Sequence, residues 1–60
     1  MNGQQLKQKR EKLGMSQFAL AKLASVSRYN ISLFETGYYE FKKTDIEKIQ
    51  NAIKKYKEKK

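Results

Sequence analysis

The sequence predicts an all-α domain of four helices, or five as the alternative, and three observations support this fold class. Proline is absent from the 60 residues, helix-favouring Leu, Ala, Lys, Gln and Glu are frequent, and glycine follows the apolar periodic stretches. Gly14 and Gly37 lie where such stretches stop, and glycine readily takes the left-handed conformation that ends a helix. A chain of this length builds one small core, so we expect a single compact domain over residues 1–60.

Helix start signals complete this pattern. Side chains that favour the N-cap position precede each apolar stretch, and Glu47 lies three residues after Thr44, as in a capping box. The expected N-caps are Asn2, Ser16, Ser27 and Thr44. The predicted helices span residues 3–13, 17–24, 28–36 and 45–56.

The fourth helix carries a stripe of apolar residues at spacings of three, four and three, formed by Ile46, Ile49, Ile53 and Tyr56. We expect this stripe to close the core. A coiled-coil seam and a helix lying on a membrane surface are the alternatives. The basic tail at residues 54–60 contains five lysines and little to bury, so we expect it to fray.

The charge balance points to a polyanionic partner. Fourteen Lys and Arg against six Asp and Glu give a formal charge of +8, a pI near 9.9 and a mean hydropathy of −0.92. Nucleic acid, an anionic membrane and an acidic protein are the partners that such a field attracts. Solubility alone is the plainer explanation of the same charge.

Several classes of function are disfavoured by composition. His and Cys are absent, which removes the commonest general base, the commonest metal ligand and any thiolate site. We therefore expect no enzyme, no catalytic residues, no metal, no cofactor and no small-molecule ligand. Apolar runs are too short for a membrane span or a signal peptide, so we expect the chain to stay in the compartment where it is made.

A bihelical corner is predicted between the second and third helices, because only Ser25, Val26 and Ser27 separate them. Small Ala21 suits the close helix crossing, and Val26 fills the corner. The inner face of the third helix is expected to consist of Ile31 and Phe34, packed toward Leu20. This packing leaves Arg28, Tyr29, Ser32 and Leu33 facing outward.

From Leu6 to Ile53 the chain resembles the helix-turn-helix family of lambdoid phage repressors and Cro proteins, also called the Xre family. The residues that carry the resemblance are the run from Lys9 to Gln17, Leu20-Ala21, Val26-Ser27, and Ile31 through Phe34-Glu35 to Gly37. The resemblance implies a lambda-repressor-like fold with its helix-turn-helix at about residues 17–36. It also implies that the third helix enters the major groove of double-stranded DNA.

The residues expected to contact bases lie at the start of the third helix. Arg28 can bind guanine O6 and N7 with two hydrogen bonds, and Leu33 can touch a thymine methyl group. Tyr29 can contact a base or a phosphate, and Ser32 can hydrogen-bond to either. Ser27 has two candidate roles, capping the helix and contacting DNA.

Phosphate contacts are expected at the start of the second helix and after the third. Gln17 lies in a first helical turn, where free N–H groups favour a phosphate, and the resemblance implies that it binds the DNA backbone. Ser16 is a cap and a possible second contact. The remaining candidates are Thr36, Tyr38, Lys42 and Lys43, and a solvated loop is the alternative for the two lysines.

The resemblance further implies a partly buried structural ion pair between Arg10 and Glu35. Ser25 stands where the family often has glycine, which costs on the order of 1 kcal/mol if the residue is left-handed. Phe18 and Leu33 are apolar where the family is commonly polar. The turn into a fifth helix is missing after Ile53, where the family builds part of its dimer contacts.

The expected function is a sequence-specific DNA-binding transcriptional regulator, namely a repressor that binds an inverted repeat as a homodimer. Lys exceeds Arg by twelve to two, which favours an A·T-rich bacterial or phage genome. The expected place of action is the cytoplasm, with the nucleoid. The alternative is a protein-interaction module, such as an antirepressor or inhibitor. It would use an apolar patch made of Phe18, Leu33, Tyr38, Tyr39 and Phe41. A third reading is a cationic helix on a membrane surface.

Overall fold

The computed structural model describes residues 1–59 and contains four helices within that range. They are α1 (Gly3–Lys12), α2 (Gln17–Ala24), α3 (Arg28–Thr36) and α4 (Lys43–Lys59). The predicted all-α fold is confirmed. The predicted bounds of α2 and α3 are those of the structure, and α1 ends one residue earlier than expected.

Two of the expected N-caps form. The Asn2 side chain accepts a hydrogen bond from the Gln5 backbone N–H at 2.8 Å, and the Gln5 side chain accepts one from the Asn2 N–H at 3.0 Å. This reciprocal pair is a capping box. At α2, Ser16 Oγ accepts a hydrogen bond from the Ala19 N–H at 3.0 Å.

The other two expected side-chain caps are wrong. Ser27 occupies the N-cap position of α3, but its side chain makes no capping hydrogen bond. Thr44 lies inside α4, because the helix begins at Lys43 and the Lys42 carbonyl already accepts the Ile46 N–H at 2.9 Å. Exposed helix ends can leave their free N–H groups to water, so a favourable cap sequence does not fix the first helical residue.

The predicted end of α4 near Tyr56 is also wrong, since the helix continues through Lys59. Lys and Glu are good helix formers, and their exposed side chains need no core to continue a helix that is already nucleated. Residues 54–59 belong to α4, and the expectation that this basic tail frays stays a prediction. Residue 60 lies outside the described residues.

The core lies where the helices meet. Its fully buried large side chains are Leu6, Met15, Leu20, Ile31 and Ile49. Helix α2 packs against both α3 and α4, while α1 packs against α3. The apolar stripe of α4 faces this core as predicted, with Ile46, Ile53 and Tyr56 half-buried against it.

Helix α1 approaches the end of α3 closely at Gly3. A Cβ atom at this position would overlap the Phe34 carbonyl oxygen and come within 2.9 Å of the Glu35 Cα atom. Gly3, Leu6 and Arg10 follow one another at spacings of three and four, so they share a face of α1. The close contact at Gly3 thus brings Arg10 alongside α3.

The turn between α2 and α3 passes through a left-handed residue. Ser25 has φ 58° and ψ 42°, and its backbone N–H donates to the Ala21 carbonyl. Gly14 and Gly37, with φ of 68° and 91°, take the same conformation after α1 and α3, as the sequence predicts.

Replacing Ser25 with glycine tests this strained turn. We expect Ser25→Gly to raise the free energy of unfolding by about 1 kcal/mol, since glycine has no Cβ to strain at positive φ. Urea unfolding followed by circular dichroism measures the change. Ser27→Gly is the matched control, because Ser27 is extended with φ −71° and glycine there only adds chain entropy to the unfolded state. Equal changes in the free energy of unfolding for the two substitutions would show that Ser25 is not strained.

Candidate nucleic-acid interface

The corner between α2 and α3 fixes which face of α3 is free. The Val26 N–H donates to the Ala21 carbonyl at 3.1 Å, and the Val26 side chain packs against the core. On α3, Ile31 is fully buried and Phe34 is 6% exposed. The inner face of α3 therefore anchors the helix, and its opposite face is open to solvent.

The expected base-contacting residues differ in exposure. Arg28 and Ser27 are exposed, and Tyr29 is 71% exposed. Ser32 and Leu33 are half-buried, although Leu33 lies four residues after Tyr29 and therefore shares its face of the helix. The first turn of α3 is thus the most accessible part of this surface.

A buried ion pair joins α1 to α3. Arg10 Nε donates to Glu35 Oε2 at 2.9 Å, and Arg10 Nη2 donates to Glu35 Oε1 at 3.1 Å. Arg10 Nη1 donates to the Met15 carbonyl at 2.8 Å. Both residues are 9% exposed. The hydrogen bonds that Arg10 donates to Glu35 raise the pKa of Arg10 above its ordinary value, against the lowering effect of burial.

Gln17 joins this pair, a contact that sequence reasoning missed. Its side-chain Nε2 donates to Glu35 Oε1 at 3.0 Å, so one carboxylate binds residues from α1 and from the start of α2. The two residues are 18 positions apart, and no local pattern pairs them. The start of α2 and the end of α3 are therefore neighbours.

The other expected phosphate-contacting residues lie mostly at the end of α3, in the following loop and at the first residue of α4. Tyr38 is 83% exposed, and Lys42 and Lys43 are exposed. The Thr36 hydroxyl lies 3.0 Å and 3.1 Å from the Ser32 and Leu33 carbonyls, to which it donates. The Ser16 hydroxyl oxygen, near Gln17, is engaged as the cap of α2.

The five-residue apolar patch of the alternative function, a protein-interaction module, is only partly exposed. Tyr39 and Phe41 are half-buried against the core, with the Phe41 ring centroid 5.0 Å from that of Phe34 and 5.2 Å from that of Tyr39. Aromatic side chains bury a large area each, so these rings enlarge a small core. Phe18 and Tyr38 stay exposed, at 66% and 83%.

The described residues form neither a metal-binding cluster nor a membrane-spanning helix. Residues 1–59 contain no group of three or more potential protein ligands that could hold a metal ion. Within the same range, every helix is too short or too polar to traverse a bilayer.

Comparison with known families agrees with this geometry. A helix-turn-helix family model, of the Xre and lambda-repressor type, matches residues 6–58. The chain therefore belongs to this helix-turn-helix family. It is a helix-turn-helix protein of a DNA-binding regulator class, which is not a class of enzymes. Neither the curated proteins nor the solved structures provide a significant match.

Breaking the ion pair tests its part in holding α3. We expect Arg10→Met to lower the free energy of unfolding by about 3–5 kcal/mol, because the Glu35 carboxylate stays buried with one donor, the Gln17 amide. The double variant Arg10→Met/Glu35→Leu should recover most of this loss, since no uncompensated charge remains. Urea unfolding measures both. If the single variant loses less than about 1 kcal/mol of unfolding free energy, the ion pair does not hold α3 as described.

Proposed function

We propose that this protein is a sequence-specific transcriptional regulator that places α3 in the major groove of double-stranded DNA. The observation that carries the proposal is the two-sided character of α3. Its inner residues Ile31 and Phe34 are buried, while Arg28 and Tyr29 at its first turn are exposed. The major groove admits a helix whose side chains reach the base edges in this way.

Each proposed base-contacting side chain has chemical groups that suit a contact with DNA. Arg28 offers a planar set of donors that fits guanine O6 and N7. The Ser27 hydroxyl makes no capping bond, so it is available to a base or a phosphate. Tyr29 is 71% exposed, and the half-buried Ser32 and Leu33 supply further contacts from the same helix.

The phosphate contacts surround this reading helix. The Gln17 amide has two N–H donors, and one of them bonds to Glu35, which leaves the other for a phosphate. Ser16, Tyr38, Lys42 and Lys43 supply further donors, whereas Thr36 must first rotate its hydroxyl away from the helix carbonyls. Arg10 neutralises Glu35, so that carboxylate does not repel the DNA backbone.

A homodimer on an inverted repeat completes the proposal. One helix reads only a few base pairs, and two copies on half-sites about 34 Å apart multiply the specificity. Repression follows when such a site overlaps a promoter. The bacterial or phage-infected cytoplasm, at the nucleoid, is the proposed place of action.

A second candidate function is a protein-interaction module, an antirepressor or inhibitor, that keeps the same fold. The exposed Phe18 and Tyr38 favour it. Such a module binds its partner at high salt, whereas DNA binding weakens steeply with salt.

Two substitutions separate base contact from phosphate contact. After selection of a preferred site from random duplexes, Arg28→Ala should weaken binding to that site by about 1–3 kcal/mol and relax the base preference. Lys43→Ala should weaken binding to selected and random duplexes alike. Gel-shift titrations at several salt concentrations measure both, with log K falling by about 0.9 per phosphate neutralised. Equal loss of base preference in both variants, or binding that ignores salt, would contradict the proposal.

A further inference from the structure

A second surface lies between the end of α1 and the C-terminal half of α4. It is a groove of about 570 Å³ lined by Lys9, Lys12, Leu13, Ile53, Lys54 and Lys57, and we call it the lysine groove. No residue of α2 or α3 lines it. The groove is therefore separate from the proposed reading helix, and an occupant need not compete with DNA for α3.

The two apolar side chains of the lysine groove are Leu13 and Ile53. Leu13 follows the last residue of α1, Ile53 belongs to the stripe of α4, and both are half-buried against the core. The part of each side chain that the core does not cover offers an apolar surface to the groove. A partner that buries this surface must bring an apolar side chain of its own.

The rim of the groove carries an excess of positive charge. Lys9 and Lys12 are three residues apart on α1, as are Lys54 and Lys57 on α4, so each pair shares a helix face. All four are exposed, and none of the described residues that line the groove carries a carboxylate. Four like charges around one groove repel one another, and several carboxylates from a partner would relieve that repulsion.

These properties distinguish between possible occupants. A second copy of the chain would set four lysines against four lysines, which costs free energy. DNA phosphates would neutralise the lysines but offer no apolar group to the uncovered surface of Leu13 and Ile53. A small molecule with one carboxylate would match one of the four charges. An acidic peptide with an apolar anchor satisfies both the charge and the apolar surface.

We propose that the lysine groove binds an acidic segment of another protein. One apolar side chain of that segment lies against Leu13 and Ile53, and its Asp or Glu side chains pair with the four surrounding lysines. The inference does not depend on DNA binding by α3. It adds a protein partner, on a different face, to the proposed regulator.

The probe is a short synthetic peptide that carries Glu and Leu at helical spacing. Two control peptides replace every Glu with Gln, or every Leu with Ser. When the first peptide is titrated into the isotope-labelled full chain, the amide chemical shifts of residues 9–13 and 53–57 should change. Both control peptides should bind at least about tenfold more weakly, since each lacks one of the two matching features.

Charge reversal in the chain provides the matched control. Lys54→Glu/Lys57→Glu should weaken peptide binding by about tenfold, because two attractions become repulsions. Lys7→Glu/Lys22→Glu changes the net charge equally at exposed positions outside the groove, and should change binding by less than about threefold. Circular dichroism verifies that both variants stay folded.

Four results would overturn the proposal. The first is that the amide signals of residues 9–13 and 53–57 do not shift with the peptide, and the second is that the Gln control peptide binds equally well. The third is equal weakening by the two charge-reversed variants, and the fourth is that duplex DNA or self-association shifts those signals and the peptide does not. DNA binding at α3 is measured separately, so a failed peptide titration leaves the reading-helix proposal to its own experiment.

Discussion

The rest of the site depends on the hydrogen bonds and the ion pair that the buried Glu35 carboxylate makes with neighbouring helices. It accepts hydrogen bonds from Arg10 on α1 and from Gln17 on α2, while its own backbone belongs to α3. Such a group is costly to bury alone, and Arg10 supplies both the opposite charge and the donors that satisfy it. The orientation of α3 is thereby coupled to α1 and to the start of α2, the two elements that flank the reading helix.

The charge of the molecule is distributed unevenly over its helices. The reading helix α3 carries one basic side chain, Arg28, while most lysines lie on α1, α4 and the loop before α4. The proposed function thus assigns long-range attraction of a polyanion and specific contact to different residues. In that proposal, lysines away from α3 create the field, and the few side chains at the first turn of α3 supply the discrimination. The same distribution leaves the lysine groove rich in charge without a carboxylate.

Much of the fold follows from local sequence signals. Ser16 and Gly37 begin and end the helix-turn-helix unit, and the spacing of Ile46, Ile49 and Ile53 predicts the face that α4 buries. These features are local, because each depends on residues within one or two helical turns. The same holds for Ser25, where the resemblance suggested a left-handed turn.

The remaining features depend on contacts between distant segments or on weak local preferences. The Gln17–Glu35 hydrogen bond and the close approach at Gly3 arise from how α1, α2 and α3 pack, which no local pattern reports. Tyr39 and Phe41 could be assigned to a surface or to the core only once Phe34 was placed beside them. The start of α4 was missed because a cap signal at Thr44 does not by itself fix the first helical residue, and helix ends commonly shift by one or two residues.

Amide chemical-shift mapping of the isotope-labelled chain, with a duplex that carries its selected site, tests the central claim most directly. The reading-helix account predicts the largest changes at residues 28–33 of α3 and in the first turn of α2. Changes confined to α4 or to the end of α1, or no change at saturating duplex, would contradict it.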